Sequence, residues 1–514
     1  MLVIWDFIIL FEDYLAAIIV KIAINRLLIQ NIKDSPLYLI VNPRSIAFFG
    51  ASNRFTSMGT NQLNSLKSLG FGGEIYPIHP KEEQVQNLVA YKSVLDLPEV
   101  PDLAVMVLPT QVVSQALEEC GKKGIKHVIV VSGGFKEVGK EGVLLEEKLT
   151  ELAQRYGIRF LGPNCLGVAN PHHQYNITFL PFVGQAGIIG MASQSGSFIT
   201  QMFDYLADLN LGFSTGISVG NEADIDIVDA MEYLGACPNT KVIALYIETI
   251  RRGRAFIEMA RSILPQKPIV ALYVGGSEAG KRASLSHTGA LAGPDNLYDG
   301  VFRQSGVIRA HSITELFDFC WLLGSCPWPT GNNVVVQTHS GGPGASAADA
   351  CDRAGLALPP FSPQTLENLS TFVPHTGSVS NPVDLTFTKN PLEYFDNIPK
   401  ILLEEPNADM LLIYFMTPKE NVIRALKGMG ICEDQIDELT EKLFEDQAKA
   451  IAALKKNDAK PIVGFSFHNR QNPMLQKLQH YNIPVLPSPD RAARALAALV
   501  SYGRLRETIL QPNI

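Results

Sequence analysis

Charge is scarce in this sequence, and basic charge more so. Only 18% of its 514 residues are charged, and 51 acidic against 43 basic side chains leave a net charge of -8. No basic stripe offsets that balance, which excludes a protein that holds nucleic acid through its phosphates. The seven cysteines (Cys120, Cys165, Cys237, Cys320, Cys326, Cys351, Cys432) are scattered, and none forms a Cys-x-x-Cys pair. That excludes a zinc ribbon or a disulfide framework and predicts reduced thiols in a cytoplasmic protein. Uninterrupted apolar runs of membrane-spanning length are missing. Asp6, Glu12, Asp13, Lys21 and Arg26 break up the Ile- and Leu-rich start, and no basic stretch precedes it as in a secretory signal. Residues 1–35 therefore read as an extension of uncertain structure, either an amphipathic helix on a partner or membrane surface or a poorly structured segment. Membrane attachment is disfavoured. Low-complexity segments and short-period repeats are also missing.

What is present is apolar content, 46% of the chain, and a length too great for one core. From residue 45 onward, apolar runs of four to six residues alternate with helical periodicity, the signature of βαβ units and parallel sheets. Strands are expected at 45–50, 74–79, 103–108, 127–132 and 159–162, then at 187–192, 214–218, 242–247 and 268–274. A third set is expected at 333–337, 409–415, 461–465 and 484–486. The fold class is α/β, with three consecutive doubly wound parallel-sheet domains. The first (36–180) is Rossmann-like and the second (181–327) and third (328–514) are flavodoxin-like, with a linker at Cys326–Gly331.

In such sheets ligands bind beyond the carboxyl ends of the strands. One Gly-rich turn per set stands there. Gly50-Ala-Ser-Asn-Arg-Phe-Thr-Ser-Met-Gly59 opens a helix but lacks the Gly-x-Gly-x-x-Gly of a plain NAD site. Lys81, after the second strand, would suit a phosphorylated ribose, as in a CoA-type nucleotide; the other reading is a solvated surface lysine. Ala192-Ser-Gln-Ser-Gly-Ser197 offers hydroxyls, amides and a helix dipole to an anion through Ser193, Ser195, Gly196 and Ser197, unless it is an ordinary N-cap. His339-Ser-Gly-Gly-Pro-Gly-Ala345 repeats that arrangement with Gly341, Gly342 and Gly344. Between the last two lies a small, glycine-rich segment, 275–293, whose only imidazole is His287, a competent phosphoryl acceptor. Glu248, ending a strand, can hold the second ring nitrogen of a histidine, or be a solvated strand end. Asp224 and Asp226 read as caps of the next helix.

Together the stretches Ile75-Tyr-Pro-Ile-His-Pro-Lys81, Ser132-Gly-Gly-Phe-Lys-Glu137, Gly162-Pro-Asn-Cys-Leu-Gly167, Ser193-Gln-Ser-Gly196, Ser286-His-Thr-Gly-Ala-Leu-Ala-Gly293 and Asn381-Pro-Val-Asp-Leu385 are distinctive. From about Asn42 to Ala498 the chain resembles the α subunit of ADP-forming acetyl-CoA synthetases, in the succinyl-CoA synthetase superfamily. The resemblance implies an acid–thiol ligase that converts a small carboxylate, CoA and ATP reversibly to acyl-CoA, ADP and phosphate. An acyl phosphate and a phosphohistidine at His287 are the implied intermediates, with Glu248 steadying the latter and the two helix starts cradling the phosphate. CoA is implied near Gly50, Ser52, Lys81, Pro109, Phe135 and Asn164. Nothing here resembles an ATP-grasp domain. A separate ATP-grasp β subunit carrying ATP/ADP and Mg2+ is therefore implied, in an α2β2 assembly, with no metal site on this chain. The alternative is a non-catalytic CoA or acyl-CoA sensor related to the synthetase-like part of protein acetyltransferases.

Overall fold

The computed structural model describes residues 31–54, 56–282, 293–386, 390–416, 418–455 and 460–510. His287 and the extension up to residue 30 lie outside them. The described chain divides into two compact units. One runs to Leu316 and takes in Thr508 onward; the other is Phe317–Glu507.

The first unit holds two sheets. In the first, β1 (Ser45–Phe49), β2 (Glu74–Ile78), β5 (Leu103–Met106), β6 (His127–Val130) and β7 (Arg159–Leu161) are all parallel, in the order β2-β1-β5-β6-β7. A two-stranded hairpin of β3 (Gln84–Val85) and β4 (Leu88–Val89) comes after β2. The strands are mostly apolar, with polar residues such as Glu74, His127 and Arg159 only at their starts, because helices cover both faces. α1 (Met58–Ser68), α2 (Thr110–Lys123) and α3 (Lys140–Tyr156) supply that cover. The chain reverses its winding at β1, between β2 and β5. Ligand crevices form at such switch points. Gly50 marks this one: at φ 89° a side chain would be strained, and a Cβ would lie 1.9 Å from the Val107 carbonyl oxygen.

The second sheet has a parallel part made of β10 (Ile189–Ser193), β11 (Phe213–Ser218), β12 (Val242–Ile247), β13 (Ile269–Tyr273) and β14 (Ile308–Ala310). These match the expected strands to within a residue or two, apart from β14, which was not expected. The sheet is mixed, not purely parallel: β8 (Val168–Asn170) pairs antiparallel with β11, and β9 (Tyr175–Asn176) with β8. The seven strands run in the order β14-β13-β12-β10-β11-β8-β9. β8 and β9, three and two residues long, show no period and were not expected. α4 (Gly196–Asp208), α5 (Ile227–Ala236), α6 (Gly253–Ile263) and α7 (Asp295–Ser305) flank the sheet. Its switch point lies between β10 and β12. One continuous core joins the two sheets, running from Leu37, Phe48 and Leu161 through Val168 and Ile217 to Ile243 and Phe302.

The second unit contains one parallel sheet. Its strands are β15 (Val334–Thr338), β16 (Val383–Asp384), β17 (Met410–Tyr414), β18 (Ile462–Phe465) and β19 (Val485–Leu486), in the order β16-β15-β17-β18-β19. α8 (Gly341–Arg353) follows β15. The switch point falls between β15 and β17, again at a Gly-rich helix start. Among the described residues no helix is long and apolar enough to cross a membrane.

Candidate active site

The switch point of the second sheet is built by a hydroxyl turn. Ser193, the last residue of β10, is fully buried. Its hydroxyl donates to the Ser195 carbonyl (2.7 Å) and accepts from the Ser195 N–H (3.1 Å). That hydroxyl makes the turn and is not free for a ligand. Ser195 then starts α4 without capping it through its side chain, and its Oγ lies 3.5 Å from that of Ser197. The first amides of a 13-residue helix, and the positive end of its dipole, are thus left for an anion.

Ser195, Gly196 and Ser197 line a cavity of about 540 Å3. Glu248, the residue after β12, lines it too and is 6% exposed. The opposite wall comes from the first sheet: Val107 and Leu108 after β5, Ser132 and Gly133 after β6, and Asn164–Leu166 after β7. Gly220–Glu222, Gln194 and the cations Lys136 and Arg251 also line it. The cleft therefore lies where the carboxyl ends of both sheets of the first unit converge.

Its polar groups form a network. Asn221 donates to Glu137 (2.6 Å) and Glu146 (2.9 Å) and accepts from Asn164 (3.3 Å). Lys136 donates to the Asn221 carbonyl and pairs with Glu146 at 3.6 Å. Burial holds the Lys136 ammonium below its ordinary range, against the pull of Glu146. Burial pushes Glu137 up, but hydrogen bonds from Asn221 and from the Gly134 and Phe135 amides outweigh it, leaving that carboxylate below its usual range. Burial and then Asp226 drive Glu222 up to about 7, with Arg251 opposing.

The residues expected to bind CoA divide. Asn164 lines the cleft. Gly50, Ser52, Pro109 and Lys81 sit along the carboxyl edge of the first sheet but outside the cavity lining. Ser52 is engaged with Thr60 (N–H to Oγ1, 3.0 Å), and Lys81 is exposed. The Phe135 side chain is wholly buried in the core between the first sheet and α2–α3, so only its backbone can meet a ligand. Asp226 caps α5 as expected, in a reciprocal box with Asp229. Asp224 does not: it binds Arg159 (2.9 Å) and the Phe160 N–H (2.8 Å), tying the second sheet's crossover to β7. Lys136, Gln194, Glu222 and Arg251 are cleft residues that sequence reasoning missed. Lys136 and Gln194 lie inside the distinctive stretches themselves. Weighing every polar residue of such a turn, and not its glycines and serines alone, could have found them.

In the second unit, Gly341 opens α8 after Ser340, again with no side-chain cap. Thr338 repeats the hydroxyl turn: its Oγ1 donates to the Ser340 carbonyl (2.6 Å) and accepts from its N–H (2.9 Å). Gly342 is open, with nothing within 4 Å of a Cβ placed there, whereas a Cβ on Gly344 would press on Thr338. Among the described residues no group of three or more His, Cys, Asp or Glu side chains could hold a metal ion.

A nucleotide-type first sheet and a flavodoxin-like second sheet thus enclose a cleft with an anion-ready helix start, the architecture of a doubly wound α/β ligand-binding protein. Family comparison gives a CoA binding domain at residues 44–171, a succinyl-CoA ligase like flavodoxin domain at 186–323 and a ligase-CoA domain at 334–425. The chain is 39% identical to the α subunit of acetate–CoA ligase (ADP-forming) II of Pyrococcus furiosus over 464 residues, 90% of this chain and 97% of that one. It is 40% identical over 376 residues to acetate–CoA ligase (ADP-forming) I of Archaeoglobus fulgidus, where the match takes in 73% of this chain but only 54% of the relative. The solved acetyl-coenzyme A synthetase 1 of Ca. Korarchaeum cryptofilum, in complex with phosphate and ADP, matches with a TM-score of 0.82 at 33% identity, covering 93% of this chain and 99% of that one. The chain belongs to the ADP-forming acetate–CoA ligase family and corresponds to its α-subunit portion.

Proposed function

We propose that this chain is the α subunit of an NDP-forming acyl-CoA synthetase, interconverting a small carboxylate, CoA and ATP with acyl-CoA, ADP and phosphate. The observation that carries the reading is the cleft itself. A buried carboxylate, Glu248, and the uncapped amides of α4 share one cavity with the loops of the CoA-binding sheet. Residues 36–180 would hold CoA, 181–327 would carry the phosphate loop and His287, and 328–514 would add the second helix start.

In the acyl-CoA-consuming direction, phosphate attacks the thioester carbon, CoA leaves as the thiol, and an acyl phosphate forms. The α4 amides and dipole stabilise charge on its phosphoryl oxygens. His287 attacks phosphorus, the carboxylate leaves, and the imidazole gains the phosphoryl group. Glu248 holds the other ring nitrogen and its proton, which favours the charged phosphohistidine. His287 then hands the phosphoryl group to ADP. Lys136 and Arg251, the cations of the lining, suit a polyanionic ligand.

We assign ATP/ADP and Mg2+ to a separate ATP-grasp β subunit, in a cytoplasmic α2β2 assembly. The α-subunit relative supports the partner part of the reading. Native mass spectrometry of the co-expressed pair tests the stoichiometry.

Incubation with the β subunit and γ-labelled ATP should yield an acid-labile, base-stable label on this chain. His287→Ala and His287→Asp should remove the label and ATP formation from acyl-CoA while keeping CoA affinity. Full turnover in either variant would defeat the mechanism. CoA binding without any label in the wild type would instead favour a sensor.

A further inference from the structure

Gln194, in the Ser193-Gln-Ser-Gly196 turn, has no part in the chemistry above, yet its side chain is fully committed. Its Oε1 accepts from the N–H groups of Glu248 (2.6 Å) and Thr249 (2.9 Å). Its Nε2 donates to the Thr249 carbonyl (2.7 Å) and to Glu222 Oε2 (2.9 Å). Those two acceptances and two donations use up a carboxamide. The orientation is unambiguous, since the flipped amide would aim its NH2 at two N–H donors.

Glu222 is just as constrained. It is 5% exposed, its backbone has a φ of 56°, and its Oε1 accepts from the Ile227 N–H (2.9 Å). Arg251 donates to its carbonyl (2.6 Å). A buried carboxylate and a left-handed residue other than glycine are each costly, and both persist here in one residue. Three segments that line the cleft, 194–197, 220–222 and 248–249, thus meet at the Gln194 amide.

We propose that Gln194, oriented by Glu222, is a positioning residue that locks the backbone after β12 so that Glu248 and the α4 amides face the same phosphoryl group. This rests on the role given to Glu248 under the proposed function. Gln194 contacts no reacting atom in that scheme. Without it, two buried N–H groups lose their acceptor, and the chain at residues 248–249 relaxes to find another. Burial and Asp226 raise the proton affinity of Glu222, while its two donors, the Ile227 N–H and Gln194 Nε2, hold the carboxyl group in place and oppose that rise.

The test uses the full chain with its β subunit, and Gln194→Met, Gln194→Glu, Glu222→Gln and the exchanged pair Gln194→Glu/Glu222→Gln. Gln194→Met keeps the volume and removes all four bonds. Gln194→Glu sets two carboxylates against each other. The exchanged pair restores a donor facing an acceptor, with the new amide at 222 donating to the new carboxylate at 194. We expect kcat to fall about 10- to 100-fold in Gln194→Met and Gln194→Glu, with the KM for CoA within about twofold of wild type. Amide exchange at Glu248 and Thr249 should accelerate in the same variants, and the exchanged pair should regain at least about tenfold of the loss in Gln194→Glu. Unchanged exchange at Glu248 and Thr249 in Gln194→Met, or no recovery in the exchanged pair, would overturn the proposal. Wild-type protein that never becomes phosphorylated would overturn the functional reading instead. The exchange measurement, which needs no turnover, would still decide the positioning.

Discussion

Two helix starts in this molecule are built alike and equipped differently. Ser193-Gln-Ser-Gly196 and Thr338-His-Ser-Gly341 each follow a central strand at a switch point. Each uses the first hydroxyl to close the turn on the serine two residues on, and each leaves the helix uncapped. The difference lies in the second residue of the turn and in the residues just beyond the neighbouring strand. In the first unit Gln194 is saturated with hydrogen bonds and grips a strand end that carries Glu248. In the second, His339 stacks on Tyr394 at 3.5 Å, and its Nε2 has no hydrogen-bond partner among the described residues. The strand end beside it carries the buried Phe415 and then Met416. The turn supplies amides for an anion in both places. The first adds Glu248 beyond β12, whereas the second has Asp384 on β16, whose carboxylate would lie 3.5 Å from a Cβ on Gly341 and acts on the charge of His339.

The largest effect that could break this contrast is on phosphoryl transfer. Glu248→Gln should slow labelling of the chain by about 100- to 1,000-fold, the scale of losing one preorganised electrostatic group. Met416→Gln, at the corresponding edge of the second unit, should stay within about twofold. Equal losses would mean that the second start does chemistry as well as binding.

The next effect is on stability against pH, where the two regions should slope in opposite directions. Glu222 is raised to about 7, above its ordinary 4.5. Between these values the folded protein holds a proton that the unfolded chain has released, so the contribution of this group falls as pH rises from 4.5 to 7. His339 is lowered by burial from 6.5 to about 4, with Asp384 opposing. Between those values the unfolded chain holds the extra proton, so stability is lost as pH falls through 6.5 toward 4. Each swing is on the order of 3 kcal/mol at most. Denaturation across this range should show Glu222→Gln gaining on the wild type as pH rises, and His339→Phe gaining on it as pH falls. Parallel slopes would dissolve the distinction.

The smallest effect concerns the glycines. A Cβ on Gly196 would come within 2.9 Å of Leu166 Cγ, whereas one on Gly342 meets nothing within 4 Å. Gly196→Ala should therefore cost about 1–2 kcal/mol of stability by crowding. Gly342→Ala should be neutral or gain up to about 1 kcal/mol through helix propensity. Urea denaturation separates the two, and a destabilised Gly342→Ala would show that the second start is less open than its geometry.

The sequence was most legible where period and punctuation agree. The parallel strands and the helices at 196–208, 253–263 and 433–453 are bounded by turn residues and carry clean apolar patterns. The site was less legible because side-chain type does not reveal which way a group is used. Ser193 looked like a ligand and is a turn builder. Gln194 looked like filler and is the junction of three segments. Glu222, flanked by Asn221 and Ala223, gave no sign that it would be buried, since burial there comes from the loop folding against the wall of the first sheet. Phe135 sits in a glycine-rich turn, yet its ring belongs to the core. Asp224 resembled a cap because cap and strand tether draw on the same residue type.

The continuous core beneath the first two sheets also bears on how such a gene can be cut and joined. A polypeptide break between Asn170 and Ile189 would expose apolar faces on both pieces, and each would keep half of the cleft wall. Neither piece would be a usable part by itself. Recombination that shuffles these proteins should therefore keep together the elements that share this core, from Leu37 to Val307.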